Sequence, residues 1–152
     1  MILHENRKTK ILLREDYELL QSYARRASDE PRHAPAVSER LLSVLEYART
    51  MPLRLLPPHV VTLGSIVEYR DDVIDSNVSI LLAPPEQVNF SGPFVPVLSP
   101  FGLELLGSNQ GERLEWRTAL GGWRGATIIR VYRRGGAAPH HRESHLREKM
   151  CG

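Results

Sequence analysis

Residues 95–116 read VPVLSPFGLELLGSNQGERLEW, and the way this stretch folds decides the architecture of the chain. A short apolar run ends at Ser99-Pro100, a two-turn helical pattern follows, Gly107 stops it, and strict alternation resumes at Glu112. Ser99 suits an N-cap, because its hydroxyl can accept from a backbone N–H that has no partner inside the helix. Pro100 suits the first helical position, where a missing N–H costs nothing. Gly107 suits the left-handed residue that ends a helix. Leu103, Leu106 and Phe101 are then its anchors. So short a helix is not stable alone in water; a sheet must carry it.

The flanks supply that sheet. FVPVLS (94–99) reads as a strand whose Pro96 marks an edge or a bulge. ERLEWR (112–117) alternates, with Leu114 and Trp116 on one face and Arg113, Glu115 and Arg117 on the other. Upstream, HVVTLGSIVEYRD (59–71) and NVSILLAP (77–84) are rich in β-branched residues. Downstream, ALGGWRGA (119–126) gives a glycine-rich turn and TIIRVYR (127–133) closes the set. Short connections between neighbouring strands predict a mostly antiparallel sheet.

The first third has a different period. Over 14–27, Leu13, Tyr17, Leu20, Ala24 and Ala27 recur at spacings of three and four on one helical face. Glu15 and Asp16 fall in its first turn and Arg25 and Arg26 in its last, as the helix dipole prefers. SDEPRHAP (28–35) breaks the pattern, since its prolines cannot continue a helix interior. From 36 to 50, Val37, Leu41, Val44, Leu45 and Ala48 form a second stripe. Two such helices, each ~20 Å long, predict a short antiparallel hairpin of coiled-coil type. MPLRLLPPHV (51–60) carries three prolines and no period. The expected class is therefore α+β: a hairpin over 1–50, a linker over 51–58, a sheet domain over 59–134, and a disordered tail over 135–152.

Composition narrows the function classes. Hydrophobic residues are 41% and charged residues 25% of the 152, which suits a soluble globular chain. The net charge of +2 divides into +1 over 1–50, −2 over 51–132 and +3 over 133–152, so nothing demands a nucleic-acid partner. Cys151 is the only cysteine, which excludes an intramolecular disulfide and fits a reducing cytosol. Apolar runs fall well below the ~18 residues that span a bilayer, and MILHENRKTK lacks an apolar stretch after its basic patch. A cytoplasmic protein without membrane contact is expected. No phosphate-binding glycine loop, nucleophile motif or metal-spaced set of His and Cys is present, so neither catalysis nor a cofactor is expected.

SPFGLELLGSNQGERLEW (99–116), preceded by VVTLGSIVEYRDD (60–72), resembles the C-terminal domain of the bacterial GreA/GreB transcript-cleavage factors over about residues 57–133. Within that group the chain looks closest to the Rnk family, regulators of nucleoside diphosphate kinase, which pair this domain with an unusually short helical hairpin. The resemblance implies an FKBP-like fold, a curved antiparallel sheet clasping one short helix. It also implies RNA polymerase as partner. In Gre factors this domain docks at the rim of the polymerase secondary channel while a long coiled coil reaches toward the catalytic metal. The strand-to-helix corner contributes to docking, which transfers here to Ser99 and Pro100, flanked by Leu98 and Phe101. Gre factors usually carry an acid before that Ser-Pro; Leu98 stands there in this chain.

Asp29 and Glu30 lie at the expected hairpin tip, where carboxylates could ligate a second Mg²⁺ at the polymerase centre. SDEPRH does not reproduce the Gre acidic tip, however, and the hairpin is shorter than theirs. Glu104, one turn after Pro100, reads as the solvated face of its helix. His141 and His145 stand at i,i+4 beside His140, but only Glu143 and Cys151 could assist, so they read as solvated. Arg133, Arg134, Arg142, Arg147 and Lys149 form a weakly basic tail able to touch nucleic-acid phosphates nonspecifically. An FKBP-like fold raises prolyl isomerase as a rival, because Tyr69, Phe90, Phe94, Phe101, Trp116, Trp123 and Tyr132 all fall in this half. Aromatics in a small sheet domain read first as core, and a fold does not transfer an activity. The reading that results is a non-catalytic transcription regulator bound to RNA polymerase, with regulation of nucleoside diphosphate kinase as the alternative.

Overall fold

The sheet is built from the alternating segments, and its order follows from which of them can bury both faces. The structure, a computed structural model, describes residues 9–29, 35–86, 92–118 and 120–133. β3 (Ile66–Asp71) is paired antiparallel on both sides, with β4 (Ser76–Ala83) and with β7 (Trp123–Tyr132). β6 (Arg113–Arg117) joins β7, and β5 (Phe94–Pro96) joins β4, giving the order β5-β4-β3-β7-β6. The β5–β4 pairing is parallel, which departs from the expected antiparallel set. Pro96 sits on this edge strand, where its missing N–H interrupts no ladder. The strand expected over 59–71 enters the sheet only at Ile66, because Gly64 takes φ +87 in a turn and donates to Leu82 O at 2.8 Å. β7 begins at Trp123, so half of the stretch read as a glycine turn is strand.

α1 (Arg14–Asp29) and α2 (Pro35–Tyr47) lie against each other, and the Tyr17 hydroxyl near the start of one donates to Leu45 O near the end of the other at 3.1 Å. The two chain directions are therefore opposed. Leu13, spaced to continue the helical stripe, is instead the end of β1 (Ile11–Leu13), which pairs in parallel with β2 (Arg49–Met51). The segment read as a linker thus contains the end of β2 and a 3-10 turn at Leu53–Leu55.

Packing is continuous across that segment. Leu12 of β1 and Leu20, Val37, Leu41 and Val44 of the two helices share one buried cluster with Val67, Leu82, Leu103, Leu106 and Ile128 of the sheet part. Burial on this scale contributes ~1.5–3 kcal/mol for each large side chain, so the helical pair is held on the sheet by the same force that folds the sheet. Glu30 and the tail 135–152 lie outside the described residues.

Candidate functional site

The Ser99-Pro100 corner is fixed from both sides. Ser99 is extended at φ −145 and ψ 162; its Oγ accepts from Gly102 N at 3.0 Å and donates to Pro96 O at 2.7 Å. Pro100 opens α3 (Pro100–Leu105) at the first helical position. Gly102 lets the helix seat directly on the end of β5, since a Cβ there would overlap Pro96 O and lie 2.8 Å from Val97 Cα. At the far end Leu106 N donates to Gly102 O at 3.1 Å, and Gly107 turns the chain at φ +79. Leu103, Leu105 and Leu106 are fully buried beneath it.

Each residue singled out in the sequence has a definite place here. Leu98 is half-buried against the core, which accounts for an apolar side chain before the Ser-Pro pair. Phe101 stacks on Trp116, with ring centroids 4.1 Å apart and planes at 17°, and meets Tyr69 edge-on at 5.0 Å. Ser99 and Pro100 keep part of their surface open to solvent. Asp29 is the last residue of α1, and Glu30 lies outside the described residues. The aromatic set that raised an isomerase is divided: Tyr69, Phe101 and Trp116 pack on one another, Phe94 and Trp123 are exposed, and Phe90 is outside the described residues.

Glu104 corrects the sequence reading. It is not simply solvated: its carboxylate accepts from Arg40 Nε of α2 at 2.7 Å, with only 20% of its side chain exposed. Its carbonyl oxygen accepts from Lys10 Nζ at 2.7 Å and from Ser108 Oγ at 2.6 Å. Lys10 Nζ also reaches Ser108 Oγ at 3.0 Å. A cation therefore satisfies the C-terminal carbonyl end of α3, where the helix dipole favours positive charge. Through these contacts α2 and the residue before β1 grip the helix that begins at the corner.

Two further ties cross the same boundary. Asp16, 5% exposed, accepts from Leu63 N at 3.0 Å, and burial pushes its carboxyl up to about 6, offset only in part by that N–H. Tyr23 donates to Glu86 Oε1 at 2.8 Å; burial first, then the Glu86 bond and charge, push its hydroxyl up, so it stays a donor. Lys10, Arg40, Asp16 and Tyr23 were not legible as site residues. Asp16 alone gave a signal, as a first-turn acid, and that signal has a sufficient explanation without burial.

On the sheet, Asp71 braces the β3–β4 turn. Burial opposes its charge, yet the N–H groups of Val73 and Ile74 and the Arg124 guanidinium, 2.6 Å away, hold its carboxyl below the ordinary carboxylate range. Among the described residues no group of His, Cys, Asp and Glu is arranged to hold a metal ion. No helix among them is long and apolar enough to cross a membrane.

Residues 56–133 match the family model of the transcription elongation factor GreA/GreB C-terminal domain. A solved prokaryotic transcription elongation factor GreA/GreB from Nitrosomonas europaea is 28% identical, with a TM-score of 0.66 over 82% of this chain and 99% of its own. The GreA factor homolog 1 (Gfh1) protein of Thermus thermophilus is 20% identical, with a TM-score of 0.41 over 82% of this chain and 99% of its own. Thermus aquaticus Gfh1 is 19% identical, with a TM-score of 0.42 over the same shares. No curated protein matches the chain in sequence. With the matched segment taking in the whole five-stranded sheet and the Ser99-Pro100 corner, the chain belongs to the GreA/GreB transcription elongation factor C-terminal domain family.

Proposed function

We propose that this protein is a non-catalytic transcription regulator that binds RNA polymerase at the rim of the secondary channel. The sheet and α3 act as an FKBP-like docking module, with Ser99 and Pro100 as the contact edge and Leu98 and Phe101 as its support. The α1–α2 pair acts as a blunt hairpin at the channel entrance and competes there with longer Gre-type factors.

The observation that carries this reading is a GreA/GreB-family C-terminal domain joined to two short helices. α1 has 16 residues and α2 has 13, or about 24 Å and 20 Å at 1.5 Å per residue. Much of that length is spent lying on the sheet domain, as the shared core from Leu20 to Val44 requires. Little is left to project toward a distant metal, so Asp29 and Glu30 are assigned no ligand role.

Co-elution with RNA polymerase tests the partner, and a transcript-cleavage assay on backtracked complexes tests the mechanism. Binding without cleavage is expected. Absence of binding would overturn the proposal, and cleavage abolished by changing Asp29 and Glu30 to alanine would make the protein a cleavage factor instead.

A further inference from the structure

β6 ends the five-stranded sheet, and no strand among the described residues pairs with its outer edge. Ile128 N donates to Glu112 O at 2.9 Å and Thr118 N donates to Gly122 O at 2.8 Å, while Leu114 faces Ala126 and Trp116 faces Arg124. Antiparallel ladders alternate bonded and non-bonded pairs. Residues 112, 114, 116 and 118 therefore direct their backbone groups at β7, and the N–H and C=O groups of Arg113, Glu115 and Arg117 point away from it. Among the described residues nothing pairs with those six groups. The opposite edge is blunted: β5 has three residues, follows Pro93 and ends in Pro96. β6 has five residues and no proline, and charged side chains are its only blunting feature.

A groove of about 1170 Å³ is lined by residues 112–117 together with Lys10, Ile11, Arg40 and Pro100. The side chains of β6 give it two characters. Leu114 and half-buried Trp116 make the inward face apolar. Outward stand Arg113, Glu115 and Arg117. Arg113 is engaged with Asp72 at 2.6 Å and Glu115 at 3.3 Å. Arg117 reaches only Gly121 O at 3.3 Å and lies 5.9 Å from the ring centre of exposed Trp123, with no carboxylate partner among the described residues.

We propose that β6 accepts an extended peptide segment as an added strand, one whose outward residues run acid, base, acid and whose inward residues are small and apolar. Backbone pairing with Arg113, Glu115 and Arg117 supplies affinity, and alternate side chains supply selection. Opposite charges on directly facing strand residues attract and like charges repel, so the Arg-Glu-Arg row sets the charge order of the partner. That order is the same read in either direction. This site does not rest on the polymerase reading, since the edge and groove are properties of the sheet.

The test is titration of the full chain with the synthetic peptide Gly-Glu-Val-Lys-Val-Glu-Gly. Both tryptophans, Trp116 and Trp123, line the groove, so their fluorescence reports occupancy. A saturable change is expected, with slowed amide exchange at Arg113, Glu115 and Arg117. The charge-inverted peptide Gly-Lys-Val-Glu-Val-Lys-Gly binds about tenfold more weakly, and a version N-methylated at alternate amides does not bind. Glu115→Pro removes an outward donor while leaving the β7 ladder intact, and it abolishes binding with an unchanged circular dichroism spectrum. Arg117→Glu weakens the first peptide about tenfold and decides the matter if the proline variant does not fold. No saturable response, equal binding of the N-methylated peptide, or unchanged affinity in Arg117→Glu would each overturn the proposal.

Discussion

Replacing Gly102 with alanine puts two physical effects in direct opposition. Intrinsic propensity favours the change, because alanine in a helix interior is better than glycine by about 1 kcal/mol. Packing opposes it. The new methyl would overlap the Pro96 carbonyl oxygen and lie 2.8 Å from both Val97 Cα and Val97 O, all backbone atoms. No rotamer change relieves a backbone clash, and Val97 cannot retreat: it is fully buried and its N–H is tied to Ala83 O at 2.8 Å. α3 must lift from β5 instead, loosening Leu103, Leu105 and Leu106, which are fully buried beneath it. Overpacking typically costs about 1–3 kcal/mol and occasionally more; an overlap with backbone that cannot yield should cost ~3–4 kcal/mol, so the net loss should be ~2–3 kcal/mol after the propensity gain. For a chain of this size that lowers Tm by about 5–10 °C. Thermal denaturation followed by circular dichroism, with Trp116 fluorescence reporting the Phe101 stack, measures it. A Gly102→Ala protein as stable as the parent, or more stable, would refute the seating of α3 described here.

Ser99→Ala removes both the Gly102 N–H acceptor and the donor to Pro96 O, and should cost about 1 kcal/mol in urea denaturation. Lys10→Met keeps the apolar stem but deprives Glu104 O and Ser108 Oγ of a charged donor, with an expected loss of about 1–3 kcal/mol by the same assay. A double-mutant cycle on Arg40 and Glu104 should return a coupling of about 0.5–1 kcal/mol, since the pair is partly exposed, and one near zero would remove it as a clamp on α3. Asp16 makes stability depend on pH. Its folded carboxyl titrates near 6 against an ordinary value of 3.8, so the folded state holds the proton more tightly; the contribution is full below about pH 4 and is lost as pH rises through 6. Asp16→Asn should match the parent at pH 4 and exceed it at pH 7.5, with about 2–3 kcal/mol as the ceiling.

What could be read from the sequence was what is decided locally. Ser99, Pro100 and Gly107 each answer a backbone need within a few residues, and each stands where that need placed it. The alternation of 113–117 is likewise a short-range pattern. The rest depends on partners far along the chain. Leu13 fits a helical stripe four residues before Tyr17, and only its pairing with Met51 makes it a strand residue. β1 and β2 have three residues each, too few for a period to show. Lys10 grips Glu104 across 94 positions, a relation no local pattern encodes. Glu104 and Asp16 were read from their place on one helix, whereas their surroundings come from another element: Arg40 for the first, the Leu63 turn for the second.

The proposal on which the account turns is that the GreA/GreB-family domain docks on RNA polymerase while its helices, too short to act at the metal, occupy the channel entrance. The most direct measurement is displacement: a fluorescently labelled Gre factor bound to RNA polymerase, titrated with this protein and with its Pro100→Arg variant. The account predicts that the parent releases the labelled factor and that the variant, with its corner altered, does so far less well. Simultaneous binding of both proteins, or displacement unaffected by the change at Pro100, would contradict it.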